Sequence, residues 1–155
     1  MGEEEPPEAA LRPAPEDEGR HEPGLEPLWN ESWYFDAVSA DGTLGAYHRI
    51  GRMPNVDGGG VCVLGACIVQ PGGPTLMLGE GAAPLPPSAD DSQLVETPAV
   101  RASYACEKAL ERFRIEVSGT AAAFADHSAP LRGERGEPAE IEIELTFETD
   151  GVPYM

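Results

Sequence analysis

His48 is the side chain in this sequence best placed to move a proton. It sits in a run of alternating apolar residues, Leu44, Ala46 and Ile50. An imidazole titrates near neutral pH, so in an apolar pocket it would protonate an alkene or a carbonyl. The structural alternative, which the residue types favour, is a core histidine donating to a backbone carbonyl. Asp36 is the second acid–base candidate. With Tyr34, Tyr47 and Arg49 it makes an oxyanion-binding group if that face lines a cavity. If it does not, Asp36 and Arg49 make an ordinary surface ion pair capped by Tyr34. Trp33 and Phe35 are the apolar ligand-binding candidates, and Glu31 shares their parity at the position of a barrel mouth.

Other chemistries lack the spacing they need. His21, His48 and His127 lie in three separate segments without HxH or HExxH, so no metal is expected. Cys62, Cys67 and Cys106 are odd in number and form no CxxC, which signals neither a disulfide framework nor a zinc site. There is no GxSxG elbow. The glycine-rich stretch Met53–Gly60, MPNVDGGG, lacks the lysine of a phosphate-binding loop and reads as a connection, so no cofactor is expected.

The elements that must position these residues centre on Trp29–Asn55, two strand-like runs around Asp41-Gly42. A two-residue type I′ turn there sets Phe35 opposite His48 and Asp36 opposite Tyr47. A four-residue loop from Ser39 to Gly42 would shift the partners but not the faces, since side chains alternate with period two. Trp33, Phe35, Ala37, Leu44, Ala46, His48 and Ile50 share one face; Tyr34, Asp36, Tyr47 and Arg49 share the other.

Further strands follow. Val61–Gln70 is almost wholly apolar and expected to be buried on both sides, with Gly65 as a bulge that could bring Cys62 and Cys67 to one face. Thr75–Glu80 and Leu94–Glu107 alternate, with Pro98 at a strand start or an edge. Lys108–Arg112 reads as a turn or a short helix, then Arg112–Val117 as a strand continued across a tight turn at Gly119. Asp126–Gly136 is a loop. In the last strand Ile141, Ile143, Leu145 and Phe147 alternate with Glu140, Glu142, Glu144 and Thr146, one face in the core and one in water. Seven or eight short strands with almost no helix imply an all-β fold, an antiparallel β-barrel or a two-sheet sandwich.

Composition narrows the partners. The chain has 155 residues, 16 prolines, 18 glycines and a net charge of −18. A field of that sign repels phosphate backbones and anionic membranes, so neither nucleic acid nor membrane insertion is expected. Residues 1–28 hold nine acidic residues and six prolines and read as a disordered leader, with residues 29–155 as the β module and His21 as a solvated histidine. No signal peptide is visible, and a cytoplasmic protein is the expectation.

The run Trp33-Tyr34-Phe35-Asp36, the Asp41-Gly42 turn and the strand through Tyr47–Arg49, followed by a glycine-rich apolar strand, resemble the opening of carotenoid 1,2-hydratase-like proteins. These belong to the lipocalin-like (calycin) superfamily, which includes uncharacterised bacterial relatives. The resemblance covers residues 29–80 by motif and the rest by strand rhythm. It implies a lipocalin-like barrel, the first half of a tandem barrel, as the chain's stop on Val-Pro-Tyr-Met straight after a strand also suggests. The implied function is binding a hydrophobic terpenoid, polyketide or lipid-like molecule, with hydration, isomerisation or cyclisation as the chemistry. The alternative is a non-catalytic module docking onto a second barrel domain or a second copy. Packed Trp33 and His48 would favour the module; an open cavity around them would favour the ligand.

Overall fold

The computed structural model describes residues 13–56, 58–86 and 92–149. Residues 1–12 of the expected leader 1–28, and the chain end at 150–155, lie outside the described residues. Eight antiparallel strands form in order: β1 (Glu31–Val38), β2 (Gly45–Met53), β3 (Val61–Val69), β4 (Thr75–Ala83), β5 (Gln93–Glu96), β6 (Val100–Lys108), β7 (Arg112–Phe124) and β8 (Glu137–Glu148). Two single 3-10 turns, Pro15–Glu18 and Ala129–Arg132, are the helical structure of the described residues. The all-β expectation holds, and the sheet curls into an antiparallel half-barrel.

The curl follows from how β7 divides its edge. Strand order is β1-β2-β3-β4-β7-β6-β5, with β8 also on β7. One edge of β7 pairs β8 from Arg112 to Ala123. The other edge pairs β6 as far as Gly119 and then β4 through Ala122–Phe124. Two groups of strands therefore leave the same edge in series, and the β1–β4 meander folds over β5–β8. Between them lie Ile50, Leu64, Leu78, Val95, Tyr104, Ile115, Val117 and Ile143, all buried. Such a packed interior carries most of the stability through removal of apolar surface from water.

Four expectations change. Gly119 does not turn the chain: β7 runs straight through it, and Gly is needed there because a Cβ would sit 2.4 Å from the Ala99 carbonyl oxygen. Gly65 is not a bulge; the register shift lies between Cys62 and Leu64 with the extra residue in β4, so β3 stays regular and Cys62 and Cys67 face opposite ways. β3 is buried on one face only, its outward Val69 being exposed. Leu94–Glu107 is two strands, separated by a turn in which Thr97 N donates to Val100 O. Lys108–Arg112, by contrast, is the expected turn and not the alternative short helix, with Leu110 at a φ of 62°.

Replacing Gly119 by Ala forces the β6 backbone away at the point where β7 changes partner. Gly119→Ala should lower unfolding free energy by about 2 kcal/mol or more, read as a shifted urea midpoint with an unchanged m-value.

Candidate functional site

The hairpin that carries the candidate residues forms with the anticipated register on a different turn. Phe35 pairs with His48, Asp36 with Tyr47 and Trp33 with Ile50. The ladder closes with Ser39 N donating to Leu44 O at 2.8 Å, so the loop is Ala40–Thr43, with Gly42 at φ 71° and its N–H on the Ser39 carbonyl. Asp41 Oδ1 accepts from Ser39 Oγ, Thr43 N and Thr43 Oγ1, and these donors hold its carboxyl down to about 2.

The inward face is closed. Phe35 stacks among Tyr104, Phe113 and Phe147 with centroids 5.4, 5.9 and 5.0 Å away, and Trp33 lies 5.7 Å from Tyr104. His48 is 1% exposed, and its ring meets the Gly65 backbone without a hydrogen bond of good geometry. Burial lowers its pKa to about 4, offset only in part by the Gly65 backbone. The imidazole is therefore neutral at pH 7 and shut away from solvent.

The outward face is open. Tyr34 is 57% exposed and stacks on Tyr47 at 5.1 Å, whose ring lies over Gly65. The anticipated Asp36–Arg49 ion pair does not occur among the described residues; the Arg49 guanidinium lies back along β2 over Gly51. A shallow groove of about 260 Å³ runs between Tyr34, Asp36, Val38, Tyr47, Cys67 and Val69. Thus Tyr34, Asp36, Tyr47 and Arg49 share a face, separated by the sheet from Trp33, Phe35 and His48.

Glu31 belongs to a third place, which sequence reasoning missed. Its carboxylate takes Arg52 Nη1 at 2.9 Å, both side chains 13% exposed, and also the His21 backbone N–H and ring. Arg20 reaches Gln93 Oε1 at 2.5 Å and the carbonyls of Pro86 and Ser92. Trp33 Nε1 donates to Glu18 O, and Asn55 Nδ2 to Gly24 O and Glu26 O. Residues 13–28 are therefore not a disordered stretch but a strap tied across one end of the half-barrel. Composition hid this because the strap is held by polar contacts rather than by an apolar stripe. The available signal was only the two arginines themselves, Arg20 and Arg52, in a chain short of cations, since their acceptors Gln93 and Glu31 lie 73 and 21 residues away.

The remaining candidates are structural. Burial pushes the Cys62 thiol up to about 11, with the Arg20 charge pulling it back slightly, and burial also raises Cys67. Neither is poised as a thiolate. His127 is exposed and shares a 2.6 Å hydrogen bond with Thr75 Oγ1. No group of three or more His, Cys, Asp or Glu with metal-binding geometry occurs among the described residues.

Because the folded-state pKa of His48 lies below its unfolded value, the unfolded chain binds more protons between pH 6.5 and 4. Stability is then full above about pH 6.5 and falls as pH drops towards 4. Between pH 7.5 and 5 this residue should remove ~2 kcal/mol of stability. His48→Phe should flatten that fall, measured as the difference in urea midpoints between wild type and variant at the two pH values.

Compared with known families, residues 14–155 match the model of DUF7064, a domain of unknown function. The match begins inside the strap and so takes it in with the sheet. No curated protein matches the chain, and no solved structure matches it.

Proposed function

The chain belongs to the DUF7064 family, and from there we propose that it is a non-catalytic β module that works by docking a partner through the outward face of β1–β4. One observation carries this reading: the outer surface is divided by polarity. Over β1–β4, cross-strand register lines up Asp36, Tyr47, Cys67 and Met77 in one row, Tyr34, Arg49, Gly65 and Gly79 in the next, and Val38, Gly45 and Val69 in a third. Tyr34, Val38, Val69 and Met77 are all exposed. A Cβ at Gly79 or Gly81 would meet nothing within 4 Å, so a partner can approach the backbone closely.

Over β6–β8 the same side of the sheet is ionic. Arg101 pairs with Glu96, Arg114 with Glu116 and Glu144, and Arg112 with Glu107 and Glu148. Exposed pairs of this kind add little stability. They keep that surface wet, while the β1–β4 surface is left apolar with one acid and one base. Contiguous apolar surface of this sort is a mark of interaction.

A second reading keeps the lipocalin-like resemblance. A hydrophobic small molecule would enter between the meander and β5–β8 once the strap lifts, with His48 as the acid and no cofactor. It is favoured by two buried polar groups without a well-formed hydrogen bond among the described residues, the His48 ring and Gln93 Nε2. The packed aromatic cluster around Phe35 weighs against it. Free cysteines and the acidic charge fit a cytoplasmic setting. No helix among the described residues is long and apolar enough to cross a membrane.

A benzophenone side chain introduced at residue 34, and at residue 142 on the ionic face as control, tests the docking reading in cells. A discrete adduct is expected from position 34 and none from 142. Adducts from both positions, or from neither, would sink it. Native mass spectrometry of the protein from cells tests the second reading, which requires a co-purified apolar mass.

A further inference from the structure

Three strands have a free edge among the described residues: β5, β8 and β1. Two are protected. β5 is only four residues long, and the 12-residue edge of β8 is lined on its outward face by Glu140, Glu142, Glu144 and Glu148. Short length and repeated charge are the usual ways of keeping an edge from pairing. β1 has neither. Its eight residues contain no proline, its register with β2 has no bulge, and its outward side chains are Ser32, Tyr34, Asp36 and Val38, the last 71% exposed.

The direction of the unpaired backbone groups follows from the turn. Ser39 N donates to Leu44 O, and the register continues unbroken from that pair into β1 and β2. In an antiparallel ladder hydrogen-bonded and non-hydrogen-bonded pairs alternate. The odd residues of β1 therefore face β2, and Ser32, Tyr34, Asp36 and Val38 turn their N–H and C=O groups to the free edge. No backbone hydrogen bond joins these residues to another segment among the described residues.

We propose that this edge pairs antiparallel with β1 of a second copy of the chain, about a twofold axis at Phe35. This goes beyond the docking reading, because it uses the edge of β1 and leaves the outward face of β1–β4 free. The second copy is the occupant because the sequence of β1 is compatible with its own reverse. An axis at Phe35 sets Tyr34 against Asp36 of the other copy and Ser32 against Val38, so four residues on each side exchange backbone hydrogen bonds and the two Asp36 carboxylates stay apart. Charge selects this edge too. In a chain of net charge −18, Asp36 is the sole acidic side chain among the four outward ones, and Glu31 at the strand's start is already paired with Arg52. The β8 edge would set glutamates against glutamates. Pairing at β1 joins two four-stranded meanders into one sheet and makes the two Tyr34–Val38 surfaces continuous.

Sedimentation velocity over two decades of concentration tests this with the full chain. Wild type is expected to pass from 16.4 kDa towards twice that mass. Asp36→Pro removes an edge-facing N–H and should weaken association by roughly tenfold or more. Should that variant fold poorly, the exposed Tyr34 gives an independent pair: Tyr34→Asp, facing Asp36 of the other copy, should weaken the dimer, and Tyr34→Lys should tighten it. A wild type monomeric throughout, or a dimer indifferent to all three changes, overturns the proposal. The residue-34 cross-link separates the two ideas. An adduct of twice the chain mass supports the second copy; an adduct of another mass overturns the second copy but leaves docking standing; no adduct overturns both.

Discussion

The insertion of Phe35 between Tyr104, Phe113 and Phe147 is the contact on which the remaining arrangement depends. It ties the first hairpin to the turn end of β6 and β7 and to the end of β8, three places far apart in sequence. Because side chains alternate strictly along β1, placing Phe35 inside also places Trp33 and His48 inside and sends Tyr34, Asp36 and Val38 out. A one-residue slip would reverse all of these at once. The apparent catalytic candidates are thus divided between two sides of a sheet by the packing of one aromatic ring. No rearrangement short of repairing the register would bring His48 and Asp36 together.

A second constraint makes that packing reachable. β7 shares one edge between β6 and β4, with Gly119 at the changeover, where the Ala99 carbonyl leaves no space for a side chain. This bends a single sheet back on itself without a second set of strands. The cost is an open end, and the strap covers it. Arg20 there meets three acceptors at once, the Gln93 side chain and the carbonyls of Pro86 and Ser92. Charge-assisted bonds in a partly buried place are stronger than those on the open surface. A half-barrel built this way needs its leading residues, which agrees with a family match that starts at residue 14.

Much of the fold was legible in the sequence for reasons that are local. Period-two alternation marked β8, and β1 and β2 were assigned their faces and register correctly even though the turn was of another kind, because both turns keep the same pairing of Phe35 with His48. What was not legible depended on distant partners. Gly119 looks like a turn residue, and only the approach of the β6 backbone shows why it is a glycine inside a strand. Gly65 looks like a bulge and is instead the floor beneath Tyr47. The strap is acidic and rich in proline, the composition of a disordered segment, and its order comes from Gln93, Glu31 and Asn55, which lie from 10 to 73 residues away from their strap partners. That separation follows from Arg20 pairing with Gln93. Asp36 and Arg49 are diagonal on one face, yet the flat, glycine-bearing surface lets Arg49 lie along β2 rather than reach across.

The distribution of charge gives the arrangement its meaning. A net charge of −18 spread evenly would make every surface repel a second copy and most acidic partners. It is not spread evenly. Glutamates are concentrated on β8 and the outer side of β6 and β7, and there Glu107, Glu116, Glu144 and Glu148 are held in pairs with Arg112 and Arg114, and Glu96 of β5 with Arg101. The outer side of β1–β4 has Asp36 and Arg49 amid Tyr, Val, Cys, Met and Gly. Exposing apolar side chains is unfavourable for an isolated domain, and no interior packing requirement explains Val38 or Met77, which touch solvent rather than the core. An inward face filled by aromatic rings leaves little for a ligand to occupy, whereas an outward face cleared of charge has a physical use only when something covers it. The proposed docking role rests on the outward side of this hairpin, while its inward side keeps the imidazole buried as part of the frame.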